Sequence, residues 1–211
     1  MNFEKGYLYH IYNQGNNKRK IFFNRENNIF FLKKLQVYIL PYADILAWCL
    51  MPNHFHLMVL VNETSSQGFT LSEALTGTKT KTRSFNDSIG ILLRTYTRAI
   101  NKQYGMTGSL FRKETKAICI NCHNTEYTSK IESHVITAFP FELTEKQYPQ
   151  SCFDYIHQNP VKANLVKSTI DWEFSSARDY VGLRNDALIN KEVAREYVDI
   201  YSGFHFTQGF T

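Results

Sequence analysis

Two short runs hold residue types that can do chemistry together. His54-Phe55-His56 opens an apolar stretch, and in an extended strand the period of two turns both imidazoles to one face while Phe55, Leu57 and Val59 turn to the other. Neutral imidazole nitrogens one pleat apart can share a divalent ion and leave coordination positions open for phosphate oxygens or water. In Tyr155-Ile156-His157-Gln158-Asn159-Pro160, Tyr155 and Asn159 stand four apart and share one face of a helix. Asn159 offers an amide oxygen suited to Mg²⁺ or Mn²⁺, and Tyr155 stands beside the same ion if this helix covers the histidine face. Each run also has a plainer explanation: histidines satisfied by neighbours at a strand start, a core tyrosine, and an asparagine closing a helix before proline. Spacing alone does not choose between them.

The elements that must position these residues can be read from hydrophobic period and punctuation. Tyr7–Tyr12 is rich in aromatic and β-branched residues and ends at the polar Asn13-Gln14-Gly15-Asn16-Asn17, which predicts a strand and a loop. Ile29, Leu32, Leu35 and Ile39 recur at helical spacing after Asn24, a plausible N-cap, and before Pro41. Asp44–Met51 and His54–Val61 are apolar strands separated only by Pro52-Asn53, which predicts a tight antiparallel hairpin. Ser88–Tyr104 places Ile89, Leu92, Tyr96 and Ile100 on one helical face and Arg94, Arg98 and Lys102 on another. Leu110–Asn121 reads as a basic strand, Ser151–Asn159 as a helix that must end at Pro160, and Asn190–Tyr201 as a region with a further helix. A helical turn is possible near Leu71–Leu75. The order strand, helix, hairpin, helix, strand, helix predicts an α+β domain, an antiparallel sheet with helices on one face. The domain spans residues 1–183, with mobile or inserted segments near 62–83 and 122–149 of no assignable role, and 184–211 form a helical appendage.

Composition narrows the function classes. The chain has 211 residues, 43% hydrophobic and 20% charged, with 24 Lys+Arg against 19 Asp+Glu and a net charge of +5, which describes a foldable domain and permits a nucleic-acid partner without requiring one. Polar residues and Pro52 interrupt the run from Ile45 to Val61, so it cannot serve as a membrane span of ~20 apolar residues. The first residues carry Glu4 and Lys5 and lack an apolar export signal, which places the chain in the cytoplasm. Cys49, Cys119, Cys122 and Cys152 are then expected as free thiols. Cys119-x-x-Cys122-His123 matches haem attachment in form, but that chemistry needs export and an axial partner that the sequence does not identify.

Taken together, the motifs resemble the HUH single-strand DNA endonucleases, specifically the single-tyrosine transposases in their REP-associated form. Asp44-Ile45-Leu46-Ala47-Trp48-Cys49-Leu50-Met51-Pro52-Asn53-His54-Phe55-His56 is similar to that family's histidine motif and its approach, and Tyr155-Ile156-His157-Gln158-Asn159-Pro160-Val161-Lys162-Ala163 to its catalytic-tyrosine helix. Tyr9-His10-Ile11-Tyr12-Asn13-Gln14-Gly15, Gly108-Ser109-Leu110-Phe111-Arg112 and Trp172-Glu173-Phe174-Ser175-Ser176 agree in order, so the likeness spans about residues 5 to 183.

The resemblance implies a ferredoxin-like sheet and a single-stranded DNA partner that is often folded into a hairpin. It implies that His54, His56 and Asn159 hold Mg²⁺ or Mn²⁺, and that Tyr155 attacks the scissile phosphorus to leave a 5′-phosphotyrosine. Asn13, Lys18, Arg19 and Lys20 after the first strand, and Arg112, Lys113 and Lys116 around the middle one, are the expected DNA contacts, with Tyr12, Phe22, Phe23 and Phe111 available for stacking or core packing. The base that activates Tyr155 is not identified, and His157 reads as a packing or DNA-facing residue. Related enzymes are monomers or homodimers. The alternatives are a hydrolase that activates water between the histidines and a DNA-hairpin binder without catalysis.

Overall fold

The computed structural model describes residues 1–67, 82–122 and 147–200. Strand β1, Leu8–Gln14, leads through a 3-10 turn at Asn16–Lys18 into helix α1, Arg25–Tyr38. Asn24 caps that helix by accepting a hydrogen bond from the Asn27 backbone N–H at 2.9 Å. Strands β2, Ala43–Met51, and β3, His54–Val61, follow as a hairpin turned by Pro52-Asn53. A short ribbon pairs β4, Ser65–Gln67, with β5, Thr82–Ser84, and feeds helix α2, Phe85–Tyr104. Ser84 caps the start of α2, and Gly105 ends it in the left-handed conformation, φ 63°, that a glycine adopts without a Cβ clash. Strand β6, Lys116–Cys119, and helices α3, Gln147–Lys162, α4, Ala177–Tyr180, and α5, Lys191–Tyr197, complete the described elements.

The four long strands form one antiparallel sheet in the order β2-β3-β1-β6. With helices linking β1 to β2 and β3 to β6, this is the ferredoxin-like β-α-β-β-α-β arrangement. The two-residue period then sorts the side chains. Tyr9 and Ile11 of β1 and Phe55, Leu57 and Val59 of β3 join a core with Phe31 and Leu35 of α1 and Ile89, Leu92 and Tyr96 of α2. Leu8 and Met58, which face the other way, pack with Cys152, Phe153 and Ile156 of α3 and Ala194 of α5. A bulge between Ile45 and Ala47 puts the consecutive Leu46 and Ala47 of β2 in this second layer.

The α+β sheet matches expectation, but helices cover both of its faces rather than one. The central strands are apolar on both sides, so each face requires a cover, and α3 supplies the second. Helix α3 also extends past the expected stop, running from Gln147 to Lys162 with Pro160 inside. Proline removes one backbone donor, and so near a C-terminus the loss is confined to the last turn, where Ala163 N–H still bonds Asn159 O at 3.0 Å. The basic strand is shorter than expected, because Leu110–Thr115 is loop, with Phe111 bridged to Gly15.

The segment after Trp172 is built into the sheet. Trp172 Nε1 donates to Leu50 O at 3.0 Å, Leu50 N to Phe174 O at 2.8 Å and Ser176 N to Trp48 O at 2.9 Å, which covers the free edge of β2. Further on, Asn190 N donates to Ile45 O at 2.9 Å, and Leu188 is buried in the first core. Cys119 and Cys122 are joined as a disulfide where free thiols were expected, the curl after β6 bringing their Cα atoms to 5.8 Å. Cys49 and Cys152 are free and buried. The proposed turn at Leu71–Leu75, His123, and most of the segments near 62–83 and 122–149 lie outside the described residues. Among the described residues, no helix is long and apolar enough to cross a membrane.

Candidate active site

His54 and His56 stand on the α3 face of β3, as the alternation requires. The register sets Tyr12 of β1 opposite His56 and Gln14 opposite His54. Helix α3 crosses above them and brings Tyr155 over the pair: its ring centroid is 5.4 Å from that of His56, edge-on at 82°, and 6.0 Å from that of His10. Asn159, one turn on, stands near enough to bias the ionisation of both His54 and Tyr155. Its Nδ2 also donates to Tyr155 O at 2.9 Å, which holds the amide down against the helix. The residues singled out on two distant stretches of chain therefore meet. Of these, His54, His56 and Tyr155 border a cleft of about 230 Å³ that is also lined by His10, Tyr12, Asn13 and Gln14, with Arg112, Glu114 and Lys116 at its exposed side.

The hydrogen bonds define the histidine tautomers in part. Asn53 Nδ2 donates to Lys18 O at 3.1 Å, which turns its Oδ1 toward His54 Nδ1, 2.6 Å away. An amide oxygen only accepts, so His54 Nδ1 carries the hydrogen and Nε2 keeps its lone pair. His56 Nδ1 lies 2.9 Å from His10 Nε2, and His56 Nε2 is buried with no hydrogen-bond partner. Burial lowers the pKa of all three rings, to about 3 for His10, and His10 and His54 lower His56 further, so the cluster is neutral at pH 7. Tyr155 is shifted upward, chiefly by burial and against the Asn159 hydrogen bond. Tyr12 is raised by burial and by the charge Tyr155 would carry, so ionising one phenol disfavours ionising the other.

Neutral imidazoles with an orphaned, buried Nε2 and a neighbouring amide oxygen suit a divalent cation. The donor set is mixed, since among the described residues no three His, Cys, Asp or Glu side chains are grouped to hold a metal ion.

The expected DNA contacts divide into four groups. Arg112 and Lys116 reach the cleft; Lys116 pairs with Glu114 at 3.0 Å, an exposed ion pair of little energetic weight. Lys113 is exposed beside the cleft without lining it. Lys18, Arg19 and Lys20 lie on the loop after β1, which folds onto the hairpin turn through Gly15 N to Asn53 O and Ile21 N to Pro52 O, both 2.8 Å. Arg19 is partly used by the fold, its Nη2 donating to Ser109 O at 2.7 Å. Asn13 lines the cleft as a buried residue, and its Nδ2 donates to Arg112 O at 3.2 Å and Thr115 Oγ1 at 2.9 Å, which holds the basic loop in place. Phe22 and Phe111 are core, and Phe23 is the more exposed ring.

His157 is buried against Ser176 Oγ at 2.7 Å and does not line the cleft, which makes it a packing residue. Sequence reasoning missed His10, Gln14 and Glu114. For His10 a signal existed: the period of two that aligns His54 with His56 also puts Leu8, His10 and Tyr12 on one face of β1. It also missed Lys162, whose Nζ sits 5.4 Å from the Tyr155 ring centroid, two helical turns on.

No known family profile matches the sequence, and no curated protein matches it either. Among solved structures, that of a REP-associated tyrosine transposase bound to a REP hairpin is similar, with 18% identity, a TM-score of 0.49, and coverage of 95% of this chain and 87% of that one.

Proposed function

We propose that this chain is a divalent-metal-dependent enzyme that nicks and rejoins single-stranded DNA, with Tyr155 as its nucleophile. The observation that carries this reading is the meeting of Tyr155 with His56, ring centroids 5.4 Å apart, while Asn159 stands beside His54 and donates to Tyr155 O. His54, His56 and Asn159 would hold Mg²⁺ or Mn²⁺, which when bound supplies positive charge to polarise a phosphodiester. Tyr155 Oη bonds to phosphorus as the bond from phosphorus to the 3′ oxygen breaks. The phenol proton leaves to solvent at the cleft's exposed side, and the departing 3′ oxygen takes up a proton. The products are a 5′-phosphotyrosine and a free 3′-hydroxyl. One phosphodiester has replaced another, so attack by a second 3′-hydroxyl reseals DNA and frees Tyr155 without ATP.

Arg112 and Lys116 supply cations for phosphates flanking the scissile one, and the Lys18–Lys20 loop lies beside the turn that opens β3. The motif resemblance favours a single strand, often folded into a hairpin, handled by a monomer or a homodimer. The test is incubation of the full chain with a labelled library of single-stranded hairpins and Mn²⁺, followed by denaturing electrophoresis and sequencing of protein-linked DNA. Linked DNA cut at a shared position supports the reading. Cleavage with no protein-linked DNA favours water as nucleophile, and tight binding without cleavage favours a hairpin-binding protein.

A further inference from the structure

The contact between His10 and His56 takes the site further than its expected parts. Both rings are buried, and 2.9 Å between His10 Nε2 and His56 Nδ1 is a hydrogen bond, so one nitrogen must carry the proton and the other must accept it. If His10 donated, His56 would carry its hydrogen on Nε2, the atom that has no partner, and a buried N–H would point at nothing. Orphaned buried N–H groups are rare, and each costs the full desolvation of a donor. If His56 donates instead, no N–H of His56 is orphaned and Nε2 keeps a lone pair that a cation can fill. His54 shows the same arrangement independently, its Nδ1–H held by Asn53 Oδ1.

We infer that His10 is a positioning residue that accepts the Nδ1–H of His56, fixing the tautomer and ring orientation in which His56 Nε2 can bind a divalent cation. The inference rests on the metal-dependent reading above. An acceptor behind a histidine ligand fixes the ring and raises its basicity, and removal of such a partner weakens metal binding about 10- to 100-fold. His10 suits this place because it lies on β1 two residues before Tyr12, the cross-strand partner of His56, and its ring meets that of His56 edge to edge, with centroids 5.0 Å apart and planes within 26° of each other.

The test combines two readouts on the whole chain. Nitrogen-15 NMR of the metal-free wild type should find the His56 hydrogen on Nδ1; a hydrogen on Nε2 overturns the inference without recourse to any variant. Mn²⁺ affinity, read by electron paramagnetic resonance of the free ion, should fall about 10- to 100-fold in His10→Leu and recover largely in His10→Gln, whose amide oxygen can still accept. Circular dichroism checks that both variants fold. Wild-type affinity in a folded His10→Leu refutes the part given to His10. Wild-type protein that binds Mn²⁺ no better than His56→Ala refutes the metal reading itself, so the two failures are distinguishable.

Discussion

Burying neutral histidines makes the fold acid-labile in a window where carboxylates stay silent. His10 and His157 are 2% exposed, and each is held at a pKa of about 3 by burial against an ordinary 6.5. In the window between those values the unfolded chain binds protons that the folded one refuses, so the stability contributed is complete above the unfolded value and declines as pH falls. On going from about pH 7.5 to about pH 5, each such ring removes about 2 kcal/mol, or about 4 kcal/mol for the two. His56 and His54 act in the same direction. A loss of that size is a large share of the ~5–15 kcal/mol that holds a domain together. Urea denaturation followed by tryptophan fluorescence across this range should show the midpoint falling steeply below about pH 6.5. An unchanged midpoint down to about pH 5 would mean that the histidines are solvated or already charged, and the arrangement of the cleft would be refuted.

Further expectations follow from single contacts. Gly15 has no room for a side chain, because an added Cβ would stand 2.2 Å from Arg19 O. Gly15→Ala should therefore cost about 1–3 kcal/mol in denaturation and weaken DNA binding as the basic loop shifts from the hairpin turn; wild-type stability would show that the loop is not packed this way. Asn159→Ala removes an amide that stands beside His54 and Tyr155 and should lower Mn²⁺ affinity at least about tenfold, about 1.4 kcal/mol, by titration calorimetry. Equal affinity would remove Asn159 from the ligand set. Because burial raises the Tyr155 pKa, the reactive phenolate is scarce at neutral pH, and the rate of DNA linkage should climb up to about tenfold per pH unit through about pH 8. A flat profile would show that phenol ionisation does not limit the reaction.

Local physics made much of this molecule readable from its sequence. Alternation placed His54 and His56 together, Pro52-Asn53 marked the hairpin, Asn24 capped α1, and helical spacing aligned Tyr155 with Asn159. Contacts between distant segments were harder to read. Nothing near Asn13 shows that its amide will be taken by Arg112 and Thr115, and nothing near His10 shows that it will meet His56, because both pairings arise only when β1 is inserted between β3 and β6. Helix α3 was readable as a helix, but the face it covers and its passage through Pro160 depend on the apolar layer beneath it. The tail likewise shows its role only against the edge of β2.

The central claim is that Tyr155 Oη, among the phenols near the cleft, reaches phosphorus. Its most direct test is to trap the protein–DNA adduct in Mn²⁺, digest it, and locate the modified residue by mass spectrometry, with Tyr155→Phe and Tyr12→Phe in parallel. The account predicts a phosphotyrosyl linkage on Tyr155, lost in Tyr155→Phe and kept in Tyr12→Phe. An adduct on Tyr12, or one that survives in Tyr155→Phe, would contradict it.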